Sequence, residues 1–185
     1  MQISSLAIPD VKLIKPIYHR DERGFFCETY KQSELEAADI RTTFVQDNQS
    51  LSRSRGVVRG LHLQTNPRAQ GKLIRVIRGA IFDVAVDIRH GSPTFGRHVA
   101  AELSATDGTQ LWVPIGFAHG FCTLAPDTEI IYKVTDYYAP ECDRSIQWND
   151  PALAIAWPVT REHAILSDKD ADAEPLAAHP VYFTY

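Results

Sequence analysis

The sequence predicts an all-β fold, either a sandwich or a barrel, and three observations point there. Between Val57 and Tyr137 seven short apolar-rich runs follow one another. Turn residues punctuate them, at Asn66-Pro67, Arg78-Gly79, His90-Gly91-Ser92-Pro93, Asp107-Gly108, Pro114-Ile115-Gly116 and Ala125-Pro126-Asp127. A clear helix signal occurs in one stretch only, near Ser33. Many short strands with regular turns mark sandwiches and barrels rather than βαβ layers. At 185 residues the chain is expected to form one domain, 1–185, long enough to bury a core without staples.

In chain order, Val11 to Ile14 reads as a short strand stopped by Pro16, and His19 to Gly24 as a polar turn. Phe25 to Tyr30 reads as a strand. Ser33 is the expected helix cap, with Glu34 and Glu36 in a first turn where the dipole favours acids, and the helix runs to about Asp39. Phe44 to Ser50 is a strand ending in polar amides. The seven runs that follow are Val57 to Gln64, Lys72 to Arg78, Ala80 to Ile88, Arg97 to Leu103, Thr109 to Val113, Gly120 to Leu124 and Glu129 to Tyr137. After Asn149 the chain turns acidic and Pro-punctuated, a tail expected to wrap the strands or form short helices.

Composition excludes several classes of function. Hydrophobic content of 44% and charged content of 23% are ordinary for a soluble globular chain. No run approaches a membrane span, and MQISSLAIPD has no secretory pattern. The odd, scattered Cys27, Cys122 and Cys142 form neither a disulfide framework nor a metal-ligand pair, and a reducing cytoplasm fits them best. No Gly-rich turn leads from a strand into a helix, so a dinucleotide fold or P-loop is unsupported. From Asn48 to Phe82 there are seven Lys or Arg and no Asp or Glu, inside a chain of net charge −4. Such an island suits one small anion, a phosphate or diphosphate, better than nucleic acid.

The candidate chemistry follows from strand alternation. His62 and Gln64 share one face of their strand and Leu61 and Leu63 the other. Lys72 shares a face with Ile74, Asp83 with Ala85, and Tyr132 with Ile130, while His119 follows a tight turn. A His, a Lys, a Tyr, a second His and an Asp are thus expected to converge. Each alone is more often a hydrogen-bonded core residue, but Lys72, between apolar neighbours, is hard to explain blandly. A barrel with a His in its mouth invites a metal, yet His62-Leu63-Gln64 lacks the second His, and the next acid is Asp83. No metal and no cofactor are therefore expected, which leaves acid–base chemistry. One parity problem arises: strict alternation puts Arg59 opposite His62, and a kink at Gly60 would reconcile them.

At this level of detail the sequence resembles a known family. The segments Asp21-Glu22-Arg23-Gly24-Phe25-Phe26, Phe44-Val45-Gln46-Asp47-Asn48, Arg59-Gly60-Leu61-His62, Gln70-Gly71-Lys72-Leu73 and Phe82 to Arg89 look like the dTDP-4-dehydrorhamnose 3,5-epimerases. So do Ser92-Pro93-Thr94-Phe95-Gly96, Pro114 to Phe121, Tyr132-Lys133, Tyr137 to Glu141, Trp148-Asn149-Asp150-Pro151 and Leu166 to Asp170. The match runs in register from Asp21 to Asp170. Leu63, where many members have Tyr, Asp143, where Glu is frequent, and Thr65-Asn66-Pro67-Arg68 depart from it and bear on nucleotide preference.

The resemblance implies a cupin-like double-stranded β-helix, or jelly roll, acting without metal as a homodimer on a dTDP-4-keto-6-deoxy-hexose. It implies His62 as general base held by Asp170, Tyr132 as general acid, and Lys72 at the C4 carbonyl oxygen. His119 and Asp83 would line the sugar pocket. Arg23, Glu28, Gln46, Asn48, Arg59, Asp143 and Lys169 would contact the nucleotide sugar, and Tyr138 would stack near the base. Epimerising a carbon beside a ketone needs a proton removed from one face and another delivered to the other, through an enolate. Histidine is a base near neutral pH, and a charged lysine at the oxyanion lowers the enolate's energy. The competing readings are a metal-dependent cupin enzyme, a non-catalytic nucleotide-sugar binder, and a single-centre epimerase or ketoisomerase on the same sugar.

Overall fold

The computed structural model describes residues 1–185. Its first elements are β1 (Gln2–Ser5), β2 (Lys12–Lys15), β3 (His19–Asp21), β4 (Gly24–Phe26) and α1 (Gln32–Ala37). Then come β5 (Gln46–Ser52), β6 (Val58–Gln64), β7 (Lys72–Arg78), β8 (Ala80–Asp87), β9 (Arg89–His90), β10 (His98–Ser104) and β11 (Gln110–Val113). The chain closes with β12 (Phe117–Thr123), β13 (Thr128–Val134), β14 (Asp143–Ser145), α2 (Asp168–Ala171) and β15 (Phe183–Thr184). Two antiparallel sheets carry the fold, one in the order β1-β2-β11-β7-β13-β5 and one in the order β10-β8-β12-β6-β14. This is the jelly-roll architecture, all-β with short helices, that the resemblance implies.

Alternation decides what each face buries. Ile74, Val76, Leu111, Val113 and Ile130 point from the six-stranded sheet at Ile81, Ala85, Val99, Leu103, Phe117 and Phe121 of the other, and they form the inter-sheet core. Leu61 and Leu63 do not join it. They pack outward, with Val84, Val86 and Ala118, beneath Ile146, just past β14, and Leu153 and Phe183 of the C-terminal tail. The tail is therefore a strap over the outer face of the five-stranded sheet. Across the molecule, Leu35 of α1, with Ile40, covers Ile14, Leu73 and Trp112 on the outer face of the six-stranded sheet.

Several boundaries differ from the sequence reading, each for a local reason. β1 carries little apolar signal and is strand through its pairing with β2, Ile3 opposite Ile14. Strand pairing ends at Phe26 rather than Tyr30, because β4 has only the three residues of β3 to pair with. Ser33 does not cap α1. The N-cap is Lys31, with no side-chain cap bond, and Ser33 sits inside the first turn. β12 starts upstream of Gly120, at Phe117, because the whole segment pairs with β8. β13 stops at Val134 rather than Tyr137 because both neighbours run out there: Val134 lies opposite Gln46 and Lys72, the first residues of β5 and β7. The tail's regular pieces are short: α2, a 3-10 helix at Leu176–Ala178, and β15, which is strand through its pairing with β9.

Gly60 settles the parity problem. His62 pairs with His119 and Arg59 with Phe121, so β6 spends one more residue than β12 over that stretch. This bulge returns Arg59 to the face of His62. Gly60 holds φ +139°, and a Cβ built on it would lie 2.5 Å from the Gly120 Cα. Only glycine fits both the dihedral and the gap.

Candidate functional site

Between the sheets, at one end, opens a cavity of about 160 Å³ lined by His62, Lys72, Tyr132, Asn48, Asp143 and Lys169 among others. His62 comes from β6 of the five-stranded sheet, while Lys72 on β7 and Tyr132 on β13 come from the six-stranded sheet. The cavity thus has an imidazole on one wall and an ammonium and a phenol on the other.

Each group is held by named partners. His62 Nε2 lies 2.5 Å from the Asp170 Oδ1. Asp170 is buried and stands in α2, whose N-cap Ser167 accepts from the Asp170 N–H. Burial alone would raise the Asp170 pKa. The hydrogen bond and charge of His62, with bonds from Ser167 and the Gly60 N–H, outweigh it and hold the carboxyl below its usual range. Asp170 is therefore an ionised acceptor that fixes the imidazole's orientation. Lys72 reaches inward to donate to the His62 carbonyl at 3.5 Å, a long bond. Burial pulls its pKa down to about 8, against the opposing charges of Asp143 and Asp83. Burial likewise raises the Tyr132 phenol above its ordinary value, with Arg59 opposing and Asp143 adding to the rise. His119, opposite His62 in the sheet, pairs through Nε2 with Asp83 Oδ1 at 2.6 Å; both are buried and neither lines the cavity. The second oxygen of Asp83 is buried without a partner.

The rim is polar. Gln46 donates to the Asn48 side chain at 2.9 Å. Asp143 accepts from the Tyr138 hydroxyl at 3.3 Å and from Lys169. Gln64 and Gln70 also line the cavity, and sequence reasoning did not single them out as site residues. For Gln64 the signal was present, since alternation placed it on the face of His62.

Not every expected residue gathers here. Arg23 is 90% exposed on the β3–β4 hairpin and pairs with Asp21. Glu28 pairs with Lys31 at 3.8 Å. Neither lines the cavity of its own chain. Arg59 lies near Tyr132, bonded to the Ser52 hydroxyl at 3.2 Å. Of the basic island, Lys72 lines the cavity and Arg59 lies near it, while other members stand elsewhere. Arg53 pairs with Asp127 and Arg68 with Asp136 on the surface. Arg75 does not line the cavity, and its Nε is buried with no partner. Strand alternation sends neighbouring residues to opposite faces, so a linear run of charge is split. No three His, Cys, Asp or Glu side chains cluster as a metal-ligand set. What the arrangement can do is move protons on opposite sides of a bound molecule and stabilise negative charge between them.

Comparison with known proteins gives a consistent result. Residues 5–178 match the family model described as dTDP-4-dehydrorhamnose 3,5-epimerase. The enzyme of that name from Sinorhizobium fredii is 52% identical over 185 residues, covering 100% of this chain and 94% of its own. A crystal structure of the dTDP-6-deoxy-D-glucose-3,5-epimerase of Legionella pneumophila, in complex with dTDP-4-keto-L-rhamnose, superposes with a TM-score of 0.94 at 46% identity, covering 100% of this chain and 98% of that one. A 3'-monoepimerase from Streptomyces bikiniensis, in complex with dTDP-quinovose, superposes at 0.86 with 35% identity, covering 94% of this chain and 87% of that one.

Proposed function

The chain belongs to the dTDP-4-dehydrorhamnose 3,5-epimerase family, and from that premise we propose that it inverts C3 and C5 of dTDP-4-dehydro-6-deoxy-D-glucose on the way to dTDP-L-rhamnose. The observation that carries this is the placement of His62 on one wall of the cavity and of Lys72 and Tyr132 on the other. His62 takes the proton from the carbon beside the ketone, and the Asp170 carboxylate stabilises the imidazolium that forms. Lys72, charged, holds the enolate oxygen at C4. Tyr132 returns a proton from the opposite side. Its raised pKa makes it a weak acid, suited to an acceptor as basic as an enolate carbon. Gln46, Asn48, Tyr138, Asp143 and Lys169 hold the nucleotide end at the rim.

The test is incubation with the dTDP-4-keto sugar in deuterated water, read by NMR at C3 and C5. Deuterium with inversion at both positions is expected, at an undiminished rate in EDTA. Inversion at C3 alone would favour the monoepimerase reading that the Streptomyces likeness offers. Loss of activity on chelation, restored by iron or zinc, would end the metal-free mechanism.

The assembly follows from the exposed hairpin. Phe25 and Phe26 are 57% and 67% exposed, and β5 is an unpaired sheet edge, both surfaces that proteins normally cover. We propose a two-fold homodimer in which the hairpin carries Arg23, with Glu28 close behind, to the other copy's nucleotide site. Sedimentation equilibrium is expected to give a dimer, and a fully active monomer would refute this. No helix is long and apolar enough to cross a membrane. The three free thiols fit a cytoplasmic setting.

A further inference from the structure

Tyr138 stands at the cavity rim, 58% exposed, in a segment that has left the β13 ladder. Its backbone is nonetheless held, by two glutamine side chains. Gln46, on β5 of the six-stranded sheet, accepts the Tyr138 N–H at 3.1 Å. Gln64, on β6 of the five-stranded sheet, grips both neighbours: Nε2 donates to the Tyr137 carbonyl at 3.1 Å, and Oε1 accepts the Ala139 N–H at 2.9 Å. The remaining Gln64 amide hydrogen goes to the Arg68 carbonyl at 2.6 Å. Gln64 is 4% exposed.

The pattern is that of a missing strand. Bonds to the C=O of residue 137 and the N–H of residue 139 are what a neighbouring backbone would make across an extended residue 138. A side-chain amide can imitate a peptide group because it has the same donor and acceptor. With Gln46 on the far side, the segment is pinned to both sheets across the cavity mouth. A free rim would lose loop entropy whenever a ligand stacked on Tyr138, whereas a pinned one has lost it on folding.

We propose that Gln64 is a positioning residue that pre-sets Tyr138 as the platform for the nucleotide. This rests on the reading of Tyr138 as a nucleotide contact. Gln64→Met keeps the length and apolar stem but loses all three bonds. It is expected to weaken dTDP binding, measured by titration calorimetry, about ten-fold, with most of the loss in kcat/KM appearing in KM. The decisive comparison is a double-mutant cycle with Tyr138→Ala. If Gln64 acts through Tyr138, Gln64→Met adds little to the Kd for dTDP once Tyr138 is gone. Full additivity would overturn the positioning role while leaving Tyr138 a nucleotide contact. An unchanged Kd in Tyr138→Ala alone would overturn the platform reading itself. Gln64→Glu guards against a folding defect in the Met variant. It keeps the acceptor for Ala139 but sets a carboxylate against two carbonyl oxygens. Its Kd, relative to the parent, is expected to approach one as pH falls and the carboxyl regains a donor. A ratio that does not change with pH would also overturn the proposal.

Discussion

His62→Ala is expected to stop both epimerisation and deuterium uptake from solvent, whereas Tyr132→Phe stops inversion and leaves uptake running. If His62 is the base, no second imidazole lines the cavity to replace it: His119 is buried and engaged by Asp83. Removing one positioned acid or base costs roughly a hundred- to ten-thousand-fold. Tyr132→Phe leaves the His62–Asp170 pair and Lys72 in place, so the enolate still forms. Its proton must then come back from the wall that took it, and deuterium enters with the starting configuration. The measurement is the ratio of exchange to inversion by NMR. A ratio in Tyr132→Phe equal to that of the parent would make Tyr132 a cavity-lining residue only.

Lys72→Met is expected to slow exchange and inversion together, by about a hundred- to a thousand-fold, because it removes charge stabilisation from the intermediate both share. The same variant is expected to be more stable than the parent. With a folded pKa of about 8 against an ordinary value of 10.5, Lys72 is an ammonium held in the cavity at neutral pH at the cost of its hydration. Between those two values the unfolded chain binds a proton that the folded chain has released, so this group's contribution to stability rises with pH across that window. Below it the full cost is present, and there Lys72→Met gains most, roughly 2 kcal/mol. If Lys72 holds the enolate oxygen, activity runs the other way, since only the charged form can hold an oxyanion. The parent's kcat/KM should therefore fall as pH rises through about 8. A profile flat to pH 9.5, or a Lys72→Met variant that melts earlier at pH 6.5, would remove this account.

The two-sheet architecture was legible because alternation and turn residues are local signals, and β6 to β8 begin and end within a residue of their expected limits. The facing of His62 was legible for the same reason. The leucines beside it did not point to their partners, since the tail that covers them lies some ninety residues downstream and has no period of its own. Asp170 belongs to that tail. Its link to His62 came from resemblance, because a carboxylate 108 residues away leaves no trace in spacing. Gly60 was legible as a kink from a contradiction: the two candidate side chains, Arg59 and His62, could share a face only if alternation failed between them. Only part of the charge island reaches the cavity, because clustering along a strand is not clustering in space. The hairpin bearing Arg23 stands free of its own cavity, and what it touches is no property of a single chain.

The strap that covers the five-stranded sheet also delivers the carboxylate that pairs with His62. Its regular structure is thin, a four-residue α-helix, a three-residue 3-10 helix and a two-residue strand beyond Trp148, so its detachment is a sub-global event rather than unfolding of the sheets. An opening that costs about 2 kcal/mol leaves roughly 3% of molecules detached at 25 °C, and that fraction climbs on warming while the inter-sheet core is still intact. Heat inactivation and calorimetric melting would then have different midpoints, with catalytic competence failing first and returning on cooling without any refolding of the sheets.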